Sequence, residues 1–194
     1  MHRIEPCCTA TQTWFGYETW APAAKWSSAW LNILDRFGDH PAVFAVDLFN
    51  EPHGIANWGL GGPDDWATAA TGMIETILRQ RPQFKGLFFV EGVDVHVPAA
   101  SPKRSSEPYF WAENLAGVFT DPIQAGGNRL VYSPHVYGPT VFAQPYFAAS
   151  DGFPNNMPAI WDAHFGWVEA TTGKAVVIGE WGGKNVGDDA TWHD

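Results

Sequence analysis

The chain has 194 residues, of which 45% are hydrophobic and 16% charged, enough apolar content for a sizeable core and too much for a disordered segment. A formal charge of -10 disfavours nucleic acid and anionic membrane surfaces as partners, because both are held by clustered Lys and Arg. A neutral substrate suits this balance better.

Residues Met1 to Tyr17 show no apolar run after a basic start, so no signal peptide is visible, and no stretch approaches the ~20 apolar residues of a spanning helix. Cys7 and Cys8 are adjacent, which suits neither an ordinary disulfide between them nor a zinc-ligand spacing. The first predicted helix runs from about Pro22 to Phe37. Trp26, Trp30, Leu31, Ile33, Leu34 and Phe37 recur there at three- and four-residue steps, Pro22 suits a first turn, and Gly38 suits a C-terminal cap.

Val43 to Phe49 is an apolar, β-branched and aromatic run that ends in Asn50-Glu51-Pro52, so a buried strand delivers a carboxylic acid to its own carboxyl end. Pro52 cannot donate to a sheet ladder and biases Glu51 toward extended backbone. A Gly-rich loop follows with His53 and Trp58. A second helix then opens with Asp64 or Asp65 as N-cap and runs through Trp66, Met73 and Ile77 to a stop at Pro82.

Leu87 to Val90 reads as the next buried strand and ends in Glu91, which is read as structural. A long polar loop carries Pro98, Pro102, Pro108 and the aromatic run Tyr109-Phe110-Trp111. Arg129 to Ser133 makes a third strand, continued by Pro134-His135-Val136-Tyr137. The last clear helix begins near Asn156 and Pro158 and ends at Gly173. A fourth apolar run, Ala175 to Ile178, then ends in Gly179-Glu180-Trp181, with Gly179 allowing close approach of another group.

The strand starts at residues 43, 87, 129 and 175 fall 42 to 46 residues apart, a strand-loop-helix unit with long loops after the strands. Such alternation predicts an α/β fold with parallel strands and helical crossovers, and the long loops favour a TIM (β/α)8 barrel. A doubly wound nucleotide-binding sheet is the alternative, but no Gly-x-Gly-x-x-Gly pattern follows any strand. A full barrel takes about 250 residues. Residues 1–194 are therefore expected to be one incomplete barrel domain, truncated at both ends.

Two strand-end Glu residues in one α/β chain supply what acid-base and nucleophilic work on a glycosidic bond requires. The chain also has 11 Trp, and sugar rings stack their C–H faces on indoles, although Trp serves equally as core. His40, His53, His96, His164 and His193 lack a ligand spacing, so no metal site and no cofactor are inferred. No Gly-x-Ser-x-Gly elbow points to an esterase. A sugar-binding module without catalysis is the other class considered, and the paired Glu residues speak against it.

Three motifs resemble glycoside hydrolase family 5, and within it the bacterial and oomycete-like cellulases: Asp47-Leu48-Phe49-Asn50-Glu51-Pro52-His53, Tyr132-Ser133-Pro134-His135-Val136-Tyr137, and Ile178-Gly179-Glu180-Trp181-Gly182. The resemblance covers nearly the whole chain and implies a TIM barrel present as strands 4 to 7 plus the end of strand 3. It implies that Glu51 is the general acid/base and Glu180 the nucleophile of a retaining β-1,4-glucanase. Asn50 would bind the sugar 2-hydroxyl, His135 would contact substrate near the acid/base, and Tyr137 would hold the nucleophile. His2 resembles the histidine after the third strand, and Trp58 and Trp181 are candidate stacking surfaces. The family also implies a secreted enzyme acting on a β-glucan polysaccharide, monomeric when complete. The arginine and tryptophan that usually support the nucleophile and floor the cleavage subsite have no counterpart in this chain.

Overall fold

The computed structural model describes residues 23–194, so the expectation for His2 lies outside the described residues. Helix α1 spans Ala23–Phe37 and strand β1 Ala45–Asp47. Helix α2 spans Trp66–Gln80 and strand β2 Leu87–Val90. Strands β3, Leu130–Tyr132, and β4, His135–Tyr137, follow a long connection. Helices α3, Met157–Trp161, and α4, Val168–Thr172, flank a π-helical turn at Asp162–Gly166. Strands β5, Ala175–Val176, and β6, Glu180–Gly182, precede a short helix α5, Asp188–His193. No described helix is long and apolar enough to cross a membrane.

The strands lie in sequence order. β1 pairs with β2, β2 with β3, and β3 with β5, all parallel, while β4 pairs in parallel with β6 as the onward continuation of the β3–β5 pair. A doubly wound sheet reverses its strand order at a switch point, and this order does not reverse. It is the order of consecutive barrel strands, and the carboxyl ends of all four face the same way.

The core lies between this sheet and the helices. Val46 and Leu48 of the first strand run, with Phe88 and Val90 of β2, are buried against Trp66, Met73, Ile74 and Ile77 of α2. Asp65 caps α2 by accepting the Thr68 amide, as its position predicts, and the helix ends at Arg81 before Pro82. Gly173 ends α4 in left-handed backbone, its amide bonded to the Glu169 carbonyl, as expected of a terminal glycine.

Three expectations change. Ile33 and Phe37 of α1 are exposed, because among the described residues that helix packs inward through Trp26, Trp30 and Leu34, with the Trp26 and Trp30 indoles donating to the Leu48 carbonyl. The connection between β2 and β3 contains no α-helix. Its ordered turns are 3-10 segments at Ala116–Phe119 and Gly127–Arg129, since Pro122 and the Gly126-Gly127 pair prevent a longer helix. The fourth run is not buried: Val177 and Ile178 are exposed, because β5 is an edge strand with one neighbour among the described residues.

Candidate active site

Glu51 leaves the end of β1 in left-handed backbone with φ of 51°, not the extended conformation that Pro52 favours. Such backbone costs a non-glycine residue about 1–2 kcal/mol, so tertiary contacts must hold it. The contact is visible. The Glu51 amide donates to Glu91 Oε2 at 2.6 Å, across from the end of β2. The result turns the Glu51 side chain over the sheet toward β4, where Oε1 lies 3.1 Å from His135 Nδ1.

His135 is buried at the start of β4. Its Nδ1 lies 3.9 Å from Glu180 Oε2, and its Nε2 lies 3.4 Å from Glu91 Oε1. The parallel register sets His135 against Glu180 and Tyr137 against Gly182. Alternation along β4 and β6 then puts His135, Tyr137 and Glu180 on one face. The Tyr137 hydroxyl donates to Glu180 Oε2. Burial, followed by that bond, raises the proton affinity of the phenol, so it remains a donor. One oxygen of each carboxylate and a ring nitrogen of His135 all lie within 4.8 Å of one another.

Gly179 has the close approach expected of it: a Cβ there would meet Ser133 Oγ and the His135 ring. Asn50 is exposed at the β1 end beside Glu51. Glu51, Asn50, His135, Tyr137 and Glu180 are thus brought to one end of the sheet.

The two candidate tryptophans are not. Trp58 is fully buried, with its indole donating to the Asp121 carbonyl, its ring against Tyr132, and Gly117 pressed against its other side. No face remains for a sugar. Trp181 is exposed but pairs with Val136 on the face of β6 opposite Glu180. It lines a helix-side hollow with Trp161, Phe165 and Trp192, because strand alternation turns it away from the carboxylates.

Two other residues reach the site instead. Trp111, exposed, stacks on His53 with ring centroids 3.9 Å apart and planes 7° apart, and His53 Nδ1 lies 2.6 Å from the Glu51 carbonyl oxygen. The only trace of it in the sequence is the aromatic run Tyr109-Phe110-Trp111, whose Phe110 packs edge-on against Tyr137. Glu91 had a clearer signal, a carboxylate ending an apolar strand. It is almost wholly buried and shares a hydrogen bond with Asp47. Burial, and then the charge of Asp47, push its carboxyl up to about 10, which favours its neutral form.

The model of the cellulase family, glycosyl hydrolase family 5, matches residues 2–193. An endoglucanase of Paenibacillus polymyxa is 41% identical over 172 residues, covering 88% of this chain and 41% of that protein. The major extracellular endoglucanase of Xanthomonas campestris pv. campestris is 40% identical over 198 residues, covering 100% of this chain and 38% of its own. The solved catalytic domain of the Xanthomonas enzyme superposes with a TM-score of 0.80 at 37% identity, covering 95% of this chain and 51% of that one. A Glu-to-Ala variant of an endocellulase from Pyrococcus horikoshii, solved with cellotetraose, superposes with a TM-score of 0.82 at 36% identity, covering 95% and 53%. The chain spans about two fifths of the length of these curated relatives. With four parallel strands in barrel order and this likeness to both sequences and folds, the chain belongs to the cellulase family, glycosyl hydrolase family 5.

Proposed function

We propose that the protein is a retaining endo-β-1,4-glucanase in which Glu51 is the acid/base and Glu180 the nucleophile. The observation that carries this reading is the approach of the two carboxylates within 4.8 Å around His135. Retaining glycosidases need carboxyls about 5–5.5 Å apart, whereas inversion leaves room for a water at about 6.5–9.5 Å. The short separation supports a nucleophile that reaches the anomeric carbon directly.

In the first step Glu180 attacks that carbon while Glu51 protonates the departing glycosidic oxygen, giving a glycosyl-enzyme. In the second, Glu51 takes a proton from water, which attacks the same carbon and frees Glu180. Tyr137 aims Glu180 through its hydroxyl, and the buried His135 keeps Glu51 facing it. Asn50, exposed beside the acid/base, suits a bond to the sugar 2-hydroxyl, and the Trp111 indole braced on His53 offers a flat face to a sugar ring. Both lie at the Glu51 side of the site.

A β-1,4-linked glucan is the substrate best supported, from relatives described as endoglucanases and a solved relative holding cellotetraose. The charge of -10 suits a neutral polymer. The name of the Xanthomonas relative, a major extracellular endoglucanase, supports a secreted enzyme. Activity is proposed for a protein in which further strands complete the barrel, with residues 1–194 forming one part of that single domain. The test is the anomeric configuration of the first product released from soluble β-glucan by the full-length enzyme, read by NMR before mutarotation. A β-anomer is expected. An α-anomer would replace the nucleophile with a base-activated water.

A further inference from the structure

Glu91 is a buried carboxylate at this end of the sheet for which the two-step chemistry has no use. It ends β2, the strand between those that carry Glu51 and His135, and its side chain is almost wholly buried. A purely structural position of this kind is better filled by an apolar side chain, because burying a carboxyl is costly even when it is bonded. Its contacts are not those of generic packing. Oε2 accepts the Glu51 amide at 2.6 Å, and Oε1 lies 3.4 Å from His135 Nε2. Both of its oxygens therefore face residues of the site, with Asp47 of β1 as the third partner.

We propose that Glu91 is the positioning residue of the acid/base: it pins the left-handed backbone of Glu51 and fixes the His135 ring so that Nδ1 faces the Glu51 carboxylate. This rests on the reading of Glu51 as acid/base. The backbone side of the argument is that Pro52 biases Glu51 toward extended conformation, and the bond to Glu91 is what opposes that bias at the Glu51 amide. Were Glu51 extended, its side chain would leave the β4 side of the site. The ring side is that Nε2 is engaged by Glu91, so the nitrogen left to face both Glu51 and Glu180 is Nδ1. A neutral Glu91 does this without setting a third carboxylate charge beside the working pair. Its own main chain is held firmly, the Glu91 carbonyl accepting the Trp66 indole at 2.8 Å and the Gly92 amide donating to Ala112.

The test compares two substrates in the full-length enzyme, cellotetraose, whose leaving group needs a proton, and 2,4-dinitrophenyl β-cellobioside, whose leaving group does not. General acid catalysis is worth about 10²–10⁴-fold, so Glu91→Leu, which fills the space but makes neither polar contact, should lower kcat on cellotetraose about a hundredfold and glycosylation by the aryl substrate no more than about threefold. Glu91→Gln can keep one of the two polar contacts, and should lose about tenfold on cellotetraose with the same small change on the aryl substrate. Glu51→Ala, run in parallel, must show the same split more strongly. If it does not, the assignment of Glu51 falls first. If Glu51→Ala shows the split and the Glu91 variants lose both substrates equally, or lose nothing on cellotetraose, the positioning role is overturned. Glu91→Gln decides alone should Glu91→Leu not fold.

Discussion

The two carboxylates sit at one end of the sheet but in unlike surroundings. The Glu51 side chain is 17% exposed and that of Glu180 48%. Glu51 is turned back over β2 and β3 and braced by Glu91, His135 and the carbonyl bond of its own loop to His53. Glu180 sits on β6, whose strand partner among the described residues is β4, and among those residues it is hydrogen-bonded by the Tyr137 phenol, with His135 Nδ1 farther off at 3.9 Å. Among the described residues the proposed acid/base is therefore held from several sides, whereas the proposed nucleophile has one hydrogen bond, from Tyr137. Damage should follow that asymmetry in the full-length enzyme.

The sharpest break is removal of each carboxylate. Glu180→Ala should abolish turnover of every glycoside. Glu51→Ala should lose about 10²–10⁴-fold on cellotetraose yet still be glycosylated by an activated aryl cellobioside, measured as the burst of phenolate. Next comes the Tyr137 hydrogen bond to Glu180. Bonds to charged groups contribute about 1.5–3 kcal/mol, so Tyr137→Phe should lower kcat by about 10–100-fold with KM little changed, read from steady-state rates on cellotetraose.

A smaller effect separates the two exposed indoles. Aromatic contacts are worth about 0.5–1.5 kcal/mol beyond burial, so Trp111→Ala should raise KM for cello-oligosaccharides by about tenfold at most. Trp181→Ala lies on the opposite face and should leave KM unchanged while lowering the melting temperature. Equal effects of the two on KM would place Trp181 in the cleft after all.

A last effect, on stability against pH and not on rate, belongs to the braced side. Asp47, Glu51 and His135 are the titratable groups that face Glu91. The folded state binds the Glu91 proton more tightly than the unfolded chain, with the carboxyl moving from 4.5 to about 10. The stability linked to that proton is complete below the unfolded value and is lost as pH rises toward the folded one. Between about pH 5 and about pH 9 the melting temperature of the wild type should fall more than that of Glu91→Gln, which has no proton to lose there. Parallel curves would mean that Glu91 is ionised in the fold.

Much of this site was legible along the chain because its parts lie at strand ends. Glu51 and Glu180 each close an apolar run, and the close approach allowed by Gly179 is a property of one residue. The backbone of Glu51 was not legible, since the local rule for a residue before proline points to extended conformation and a bond from a residue 40 positions away overrides it. The pairing of His135 with Glu180 is equally non-local. For the tryptophans the missing information was what packs on each ring: Gly117, lacking a side chain, makes room for Trp58 in the core, and the alternation of β6 turns Trp181 to the helix side. The exposure of Val177 and Ile178 shows the same limit, because an apolar run reads alike at the centre and at the edge of a sheet.

The most direct test of the division of labour between Glu51 and Glu180 is rescue by azide of the two alanine variants of the full-length enzyme, with the glycosyl azide product identified by NMR. For Glu51→Ala the expected product is the β-azide, formed when azide attacks the glycosyl-enzyme on Glu180 without needing a base. For Glu180→Ala any rescued product should be the α-azide, because azide then takes the place of the missing carboxylate. The reverse pattern, with β-azide from Glu180→Ala and α-azide from Glu51→Ala, would contradict the assignment and exchange the two roles.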